Sequence, residues 1–191
     1  SKVSKIAIIG TGYVGLSSGA CFASLGHLVV CVDVVQKKID DLNNGKLPIV
    51  ETGLEELVSE GVKSDRLFFT TDVRDAVCEA DVVFLCVPTP EGADGSADLS
   101  YIQTAARTLS PLLRSGAIVV NKSTVPVGTA ALLTEQLAKG TGFASPNLAW
   151  NPEFLREGTA LEDSLRPDRL VAGVTNARSE ELLRQVYEPM I

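Results

Sequence analysis

The chain has 191 residues, 45% of them hydrophobic and 21% charged, so it is long and apolar enough for a substantial core and is not a disordered chain. Its net charge of −7 argues against nucleic acid or an anionic membrane as partner, and no apolar run reaches the roughly 18 residues of a membrane span. The four cysteines, Cys21, Cys31, Cys78 and Cys86, show no metal-ligand spacing and read as apolar fillers in a reducing compartment, the cytoplasm.

The opening residues, Ser1 to Lys5, lack the apolar region and cleavage site of a signal peptide. They run into an apolar strand, Ile6 to Ile9. Gly10-Thr11-Gly12-Tyr13-Val14-Gly15 follows, then a small-residue helix from Leu16 to Leu25. Strand, glycine turn and helix in that order match a dinucleotide-binding unit, although the glycine pattern alone also fits an ordinary glycine-rich turn. Gly10 permits the tight turn, Gly12 lets a pyrophosphate approach the backbone, and Gly15 lets the helix pack on the strand. The N-terminal end of that helix, around Tyr13 and Val14, offers N–H groups and a positive dipole end to the phosphates.

A second apolar strand, Leu28 to Val32, ends in Asp33. A carboxylate about 20 residues after the glycines is placed to accept bonds from both adenosine ribose hydroxyls and to repel a 2′-phosphate. The cofactor expected is therefore NAD and not NADP. The plainer alternative for Asp33 is a strand-end or helix-capping acid. The next helix spans about Val35 to Asn44. Its Lys38 either reaches the adenosine end of the cofactor or is a solvated helix charge.

Gly45-Lys46-Leu47-Pro48 breaks that helix, and a short one is expected from Leu54 to Ser59, ending near Gly61. Leu67 to Thr70 reads as a strand. Asp72 to Ala80 reads as a helix capped by Thr71 or Asp72. Val82 to Val87 is an unbroken apolar strand, which needs both faces covered, as in a parallel sheet. Pro88-Thr89-Pro90 stops it, and a polar loop runs from Glu91 to Asp98. Ligands of open α/β sheets bind beyond the carboxyl ends of the strands, so Thr89 is a candidate cofactor contact unless it only shapes the turn.

Leu99 to Leu113 is an amphipathic helix with Leu99, Ile102, Ala106, Leu109 and Leu113 on one face. A strand over Ala117 to Val120 leads into a polar run from Asn121 to Thr129. A helix over Ala130 to Lys139, a strand over Asn147 to Trp150, a further candidate strand over Leu170 to Gly173 and a last helix over Ala177 to Tyr187 complete the chain. The fold expected is α/β: a Rossmann-type doubly wound, mostly parallel sheet with helices on both faces and strand order 3-2-1-4-5-6. One NAD-binding domain is expected over residues 1–191, with its core in 1–150 and an appended segment in 151–191.

Five stretches carry a family resemblance: the glycine turn, Pro48-Ile49-Val50-Glu51, Asn121-Lys122-Ser123-Thr124-Val125-Pro126-Val127-Gly128-Thr129, Asn151-Pro152-Glu153-Phe154-Leu155-Arg156-Glu157-Gly158, and Arg166-Pro167-Asp168-Arg169. On these the chain resembles the nucleotide-sugar dehydrogenases of the UDP-glucose/GDP-mannose dehydrogenase family, its UDP-glucose branch more than the GDP-mannose or N-acetyl-hexosamine branches. It looks like the amino-terminal half of such an enzyme. The resemblance implies that NAD is used twice to oxidise a sugar C6 alcohol of a UDP-sugar to a carboxylate. It implies that Val14, Asp33, Lys38, Thr89, Thr124 and Glu157 touch NAD. Glu153 is then an acid/base residue acting with a water that Thr124 helps to hold, and Phe154, Leu155 and Arg156 line the sugar-nucleotide site. The whole enzyme is then a homodimer or larger homo-oligomer.

Spacing alone makes Glu153 and Glu157, four apart, helix-end charges; the surrounding octapeptide turns the pair toward catalysis. The family nucleophile is a cysteine in a glycine-rich motif of the other half, and none of the four cysteines here lies in such a motif. Proline at 88, where the family often has glycine, and Thr52, where proline is usual, are departures. A half of a GDP-mannose enzyme and a non-catalytic nucleotide-binding module are the alternatives.

Overall fold

The computed structural model describes residues 3–122, the backbone of 147–150, and residues 181 and 184–186. Six strands form one parallel sheet: β1 (Lys5–Ile9), β2 (Leu28–Val32), β3 (Leu67–Thr70), β4 (Val82–Leu85), β5 (Ile118–Asn121) and β6 (Asn147–Trp150). Their order is β3-β2-β1-β4-β5-β6, the expected one. The order reverses at β1, so the crevice beyond the carboxyl ends of β1 and β4 is where such a sheet takes its ligand.

Alternation along each strand explains why the apolar runs are unbroken. Ile6, Ile8, Val82, Phe84, Ile118 and Val120 face one layer, which contains α1 (Tyr13–Ser24) and α3 (Leu54–Lys63). Ala7, Ile9, Val83, Leu85 and Val119 face the other, with α4 (Val73–Val77) and α5 (Ser100–Leu109). Both faces of β1 and β4 are thus covered, as parallel strands require. Phe22 of α1 stacks on Phe84 of β4 with ring centroids 4.8 Å apart, pinning helix to sheet.

Several boundaries differ from the sequence reading. The first helix starts at Tyr13, three residues earlier, because Gly12 already serves as its N-cap. The helix after β2, α2, is Gln36–Asn43. Helix α3 runs on through Gly61 to Lys63; that glycine is a packing site and not a stop. Helix α4 ends at Val77, with Asp72 as its cap accepting from the N–H groups of Arg74 and Asp75. Strand β4 ends at Leu85, two residues early. Helix α5 gives way to a 3-10 turn, Ser110–Leu112, where Pro111 interrupts it.

The loop from Glu91 is closed on itself by an antiparallel bridge between Glu91 and Ala97. The expected helix over 130–139, the strand over 170–173, most of the last helix and all of the appended segment 151–191 except residues 181 and 184–186 lie outside the described residues. Residues 181 and 184–186 are helical, as that last helix requires.

The single histidine joins distant parts of the chain. His27 is fully buried in the turn between α1 and β2. Its Nδ1 accepts the Ser4 N–H at 3.0 Å, and its Nε2 lies 2.8 Å from the carbonyl of Val186. Nδ1 is thereby an acceptor, so the proton sits on Nε2 and is donated to Val186. Burial holds the imidazole pKa below its ordinary value.

Candidate functional site

The glycine turn sits at the carboxyl end of β1, and each glycine answers a different constraint. Gly10 has φ +109°, and a Cβ there would lie 2.5 Å from the Cys86 carbonyl oxygen. A Cβ on Gly15 would overlap the Gly10 carbonyl oxygen. These two are required by the protein itself. Gly12 is not: its φ is −73°, and a Cβ added to it meets nothing within 4 Å. Space that the fold leaves open beside the backbone of a helix N-cap fits a ligand that approaches the main chain. Helix α1 has no side-chain cap and no acidic residue in its first turn, so nothing anionic of its own competes for that end.

Asp33 closes the other side. Its backbone N–H bonds to Thr70, and the Gly10 N–H bonds to Val32, so the glycine turn and the end of β2 are tied together. The carboxylate lies against the turn: Oδ2 accepts from the Thr11 N–H at 3.1 Å and the Thr11 hydroxyl at 2.8 Å. Oδ1 accepts from the Val35 N–H at 3.0 Å. Lys38 brings its ammonium to 4.0 Å from Oδ2. With the Thr11 N–H and hydroxyl on Oδ2 and the Val35 N–H on Oδ1, the carboxylate keeps acceptor capacity for a ribose hydroxyl.

The structure thus brings Gly10, Gly12, Tyr13, Val14, Gly15, Asp33 and Lys38 into one neighbourhood. Thr89, half-buried, lies four residues past β4, on the same edge of the sheet. Thr124, Glu153, Phe154, Leu155, Arg156 and Glu157 lie outside the described residues. The open space at Gly12 and the ordered carboxylate at Asp33 fit the adenosine diphosphate portion of a dinucleotide.

Two features were missed from sequence. Thr11 occupies an unspecified position of the glycine pattern, and nothing in the pattern signals its role. Lys122 follows β5 and is only 2% exposed. Its ammonium is 3.3 Å from the Ser18 hydroxyl on α1 and about 6 Å from the Phe22 and Phe84 ring centroids. The signal available was a lysine at the end of an apolar strand. Among the thiols, burial pushes Cys86 up to about 12, with Lys122 pulling the other way, and raises Cys31 as well. Thiols so held are protonated at neutral pH and are poor nucleophiles. Among the described residues no cluster of metal-ligating side chains occurs, and no helix is long and apolar enough to cross a membrane.

Comparison with known proteins gives these features a setting. The model of the UDP-glucose/GDP-mannose dehydrogenase family, NAD binding domain, matches residues 4–191. A UDP-glucose 6-dehydrogenase of Rhizobium meliloti is 49% identical over 97% of this chain and 43% of its own length. One from Bacillus subtilis is 44% identical over 97% of this chain and 40% of its own. In structure, a UDP-glucose dehydrogenase from Pyrobaculum islandicum aligns with a TM-score of 0.90 and 41% identity, covering 98% of this chain and 44% of that one. A GDP-mannose dehydrogenase from Pseudomonas aeruginosa, solved as a ternary complex, aligns at 0.89 and 39%, covering 96% and 44%. The chain therefore spans about two fifths of the length of these relatives. It belongs to the UDP-glucose/GDP-mannose dehydrogenase family, of which it carries the NAD binding domain.

Proposed function

We propose that this chain is the cofactor half of a UDP-glucose 6-dehydrogenase of the cytoplasm, a homo-oligomer when whole. In this reading UDP-glucose, two NAD and water give UDP-glucuronate and two NADH. The observation that carries the cofactor side is the Asp33 carboxylate held against the open glycine turn. The substrate side rests on the relatives named above, whose first two are UDP-glucose 6-dehydrogenases.

When bound, NAD supplies a hydride acceptor. The chain's own residues bind and orient it: amides at Gly12 to Val14 face the pyrophosphate, Asp33 takes a ribose hydroxyl, Lys38 balances that carboxylate, and Thr89, Thr124 and Glu157 line the remainder. Glu153 removes the C6 hydroxyl proton through a water, because hydride leaves an alcohol carbon only as its proton is taken. Thr124 helps to hold that water, and Phe154, Leu155 and Arg156 contact the sugar nucleotide. The nucleophilic cysteine of the second oxidation comes from the other half of the enzyme, as the burial of Cys21, Cys31 and Cys86 here suits.

The test is turnover by the full-length protein with UDP-glucose or GDP-mannose. Two NADH per UDP-glucose consumed, with GDP-mannose at least tenfold poorer, is expected. A preference for GDP-mannose would favour the other branch, and no turnover of either sugar would favour a non-catalytic module. Glu153→Gln should keep NADH affinity within about twofold while lowering turnover by 10²-fold or more, the usual scale of an acid/base contribution. Unchanged turnover removes Glu153 from the chemistry.

A further inference from the structure

We infer that Thr11 is a positioning residue that sets the preference for NAD over NADP, by locking the Asp33 carboxylate in place. The inference rests on the assignment of Asp33 to the adenosine ribose. Thr11 stands at the unspecified position of the Gly-x-Gly turn, and only 2% of it is exposed. It does not present itself to a ligand. Its hydroxyl instead gives a 2.8 Å bond to Asp33 Oδ2, alongside its own backbone N–H at 3.1 Å.

The geometry matters because exclusion of a 2′-phosphate by charge works only if the carboxylate stays put. A carboxylate free to rotate swings aside and relieves the repulsion. Asp33 is restrained at Oδ1 by the Val35 N–H and at Oδ2 by the two Thr11 donors. Of these three donors, only the Thr11 hydroxyl belongs to a side chain. A hydroxyl donating to a carboxylate makes a charge-assisted bond, stronger than one between neutral groups.

A second element sharpens the consequence. The Lys38 ammonium lies 4.0 Å from the same Oδ2. While Asp33 is locked, that cation is matched to a fixed anion. Once Asp33 can turn away, the lysine faces the ribose edge and attracts a 2′-phosphate. Loss of one hydroxyl therefore weakens the repulsion and exposes an attraction at the same point.

The test measures NADH and NADPH dissociation constants by nucleotide fluorescence in the full-length protein, for wild type, Thr11→Val, Thr11→Ala, Thr11→Ser and Asp33→Asn. Wild type should prefer NADH. Thr11→Val, close in volume, should weaken NADH about threefold and tighten NADPH about threefold, lowering the NADPH/NADH ratio of dissociation constants about tenfold. Thr11→Ser, which keeps the hydroxyl, should leave the ratio at the wild-type value. Thr11→Ala reads the same loss as Val if the valine variant folds poorly. A general loss of structure weakens both nucleotides together and leaves the ratio unmoved, so the ratio isolates positioning from packing. If Asp33→Asn collapses the ratio while Thr11→Val and Thr11→Ala leave it at the wild-type value, the role of Thr11 is overturned and that of Asp33 stands. If Thr11→Ser loses the ratio as fully as Val, the hydroxyl is not the agent and the inference fails. If Asp33→Asn leaves the ratio intact, the ribose assignment itself is wrong, and the inference goes with it.

Discussion

At the scale of single residues, the three glycines of the turn separate what the fold needs from what a ligand needs. Gly15 cannot take a side chain without moving the Gly10 carbonyl, because the two backbones are in contact. Gly15→Ala should therefore lower stability by about 3 kcal/mol, the upper end of the usual cost of overpacking, read by urea unfolding. Gly12→Ala points its methyl into open space and should change stability by less than about 1 kcal/mol, mainly through the weaker N-cap. It should nonetheless raise the NADH dissociation constant tenfold or more, because the methyl occupies the path of the pyrophosphate. A Gly12→Ala protein that binds NADH normally would mean that the dinucleotide does not cross this turn. The glycines and Asp33 were legible from sequence because their spacing carries the chemistry. Thr11 was not, because its part depends on which side chain the carboxylate of another strand happens to meet.

At the scale of elements, strands were read closely because a parallel strand buried on both faces leaves an unbroken apolar run. Helix ends were read less well, since a glycine or proline marks an end only where packing lets it. Gly61 shows the difference. Its missing side chain lets α3 approach the start of β3 and the end of α1: a Cβ there would sit 2.9 Å from Leu67 Cβ and 3.4 Å from Ala23 Cβ. Two effects then oppose each other in Gly61→Ala. Helix propensity favours alanine by about 1 kcal/mol. Forcing a methyl onto the Cβ of a buried leucine on the sheet costs about 1–3 kcal/mol. Leu67 is 2% exposed and anchored in its strand, so the contact cannot be relieved by rotating a flexible tip. The net expectation is a loss of about 1 kcal/mol in urea unfolding, with NADH affinity unchanged because the site lies at the opposite edge. A gain in stability would show that α3 is free to shift. Pro111 is the converse case: the amphipathic pattern runs on to Leu113, yet the missing N–H of proline turns the last residues into a 3-10 turn.

At the scale of the whole molecule, one imidazole joins segments that lie far apart in the sequence. His27 connects Ser4, just before β1, to Val186, which is itself buried in the same core layer as Phe22 and Phe84. No periodicity or motif marks such a residue, since its partners are 23 and 159 positions away. Protonation would place a second N–H against the Ser4 N–H, two donors facing each other in a buried site. Arg66 adds a repulsive field that disfavours the charged form further. The imidazole pKa is accordingly below 6.5 in the folded chain and near 6.5 when unfolded. Above about pH 6.5 both states are neutral and the full stability is present. As pH falls below that value the unfolded chain takes up the proton first, so stability declines, by at most about 1.4 kcal/mol per pH unit for one group. The decline ends once the folded-state pKa is passed. Urea unfolding at pH 7.5 and 5.5 should therefore show a loss in the wild type that His27→Gln, stably folded or weakened, does not share in that interval. Amide protection factors at residues 184–186, each rate divided by its intrinsic rate at that pH, should fall over the same pH range in the wild type alone. Equal pH dependence in the two proteins would assign the loss to carboxylates and leave His27 a passive member of the core.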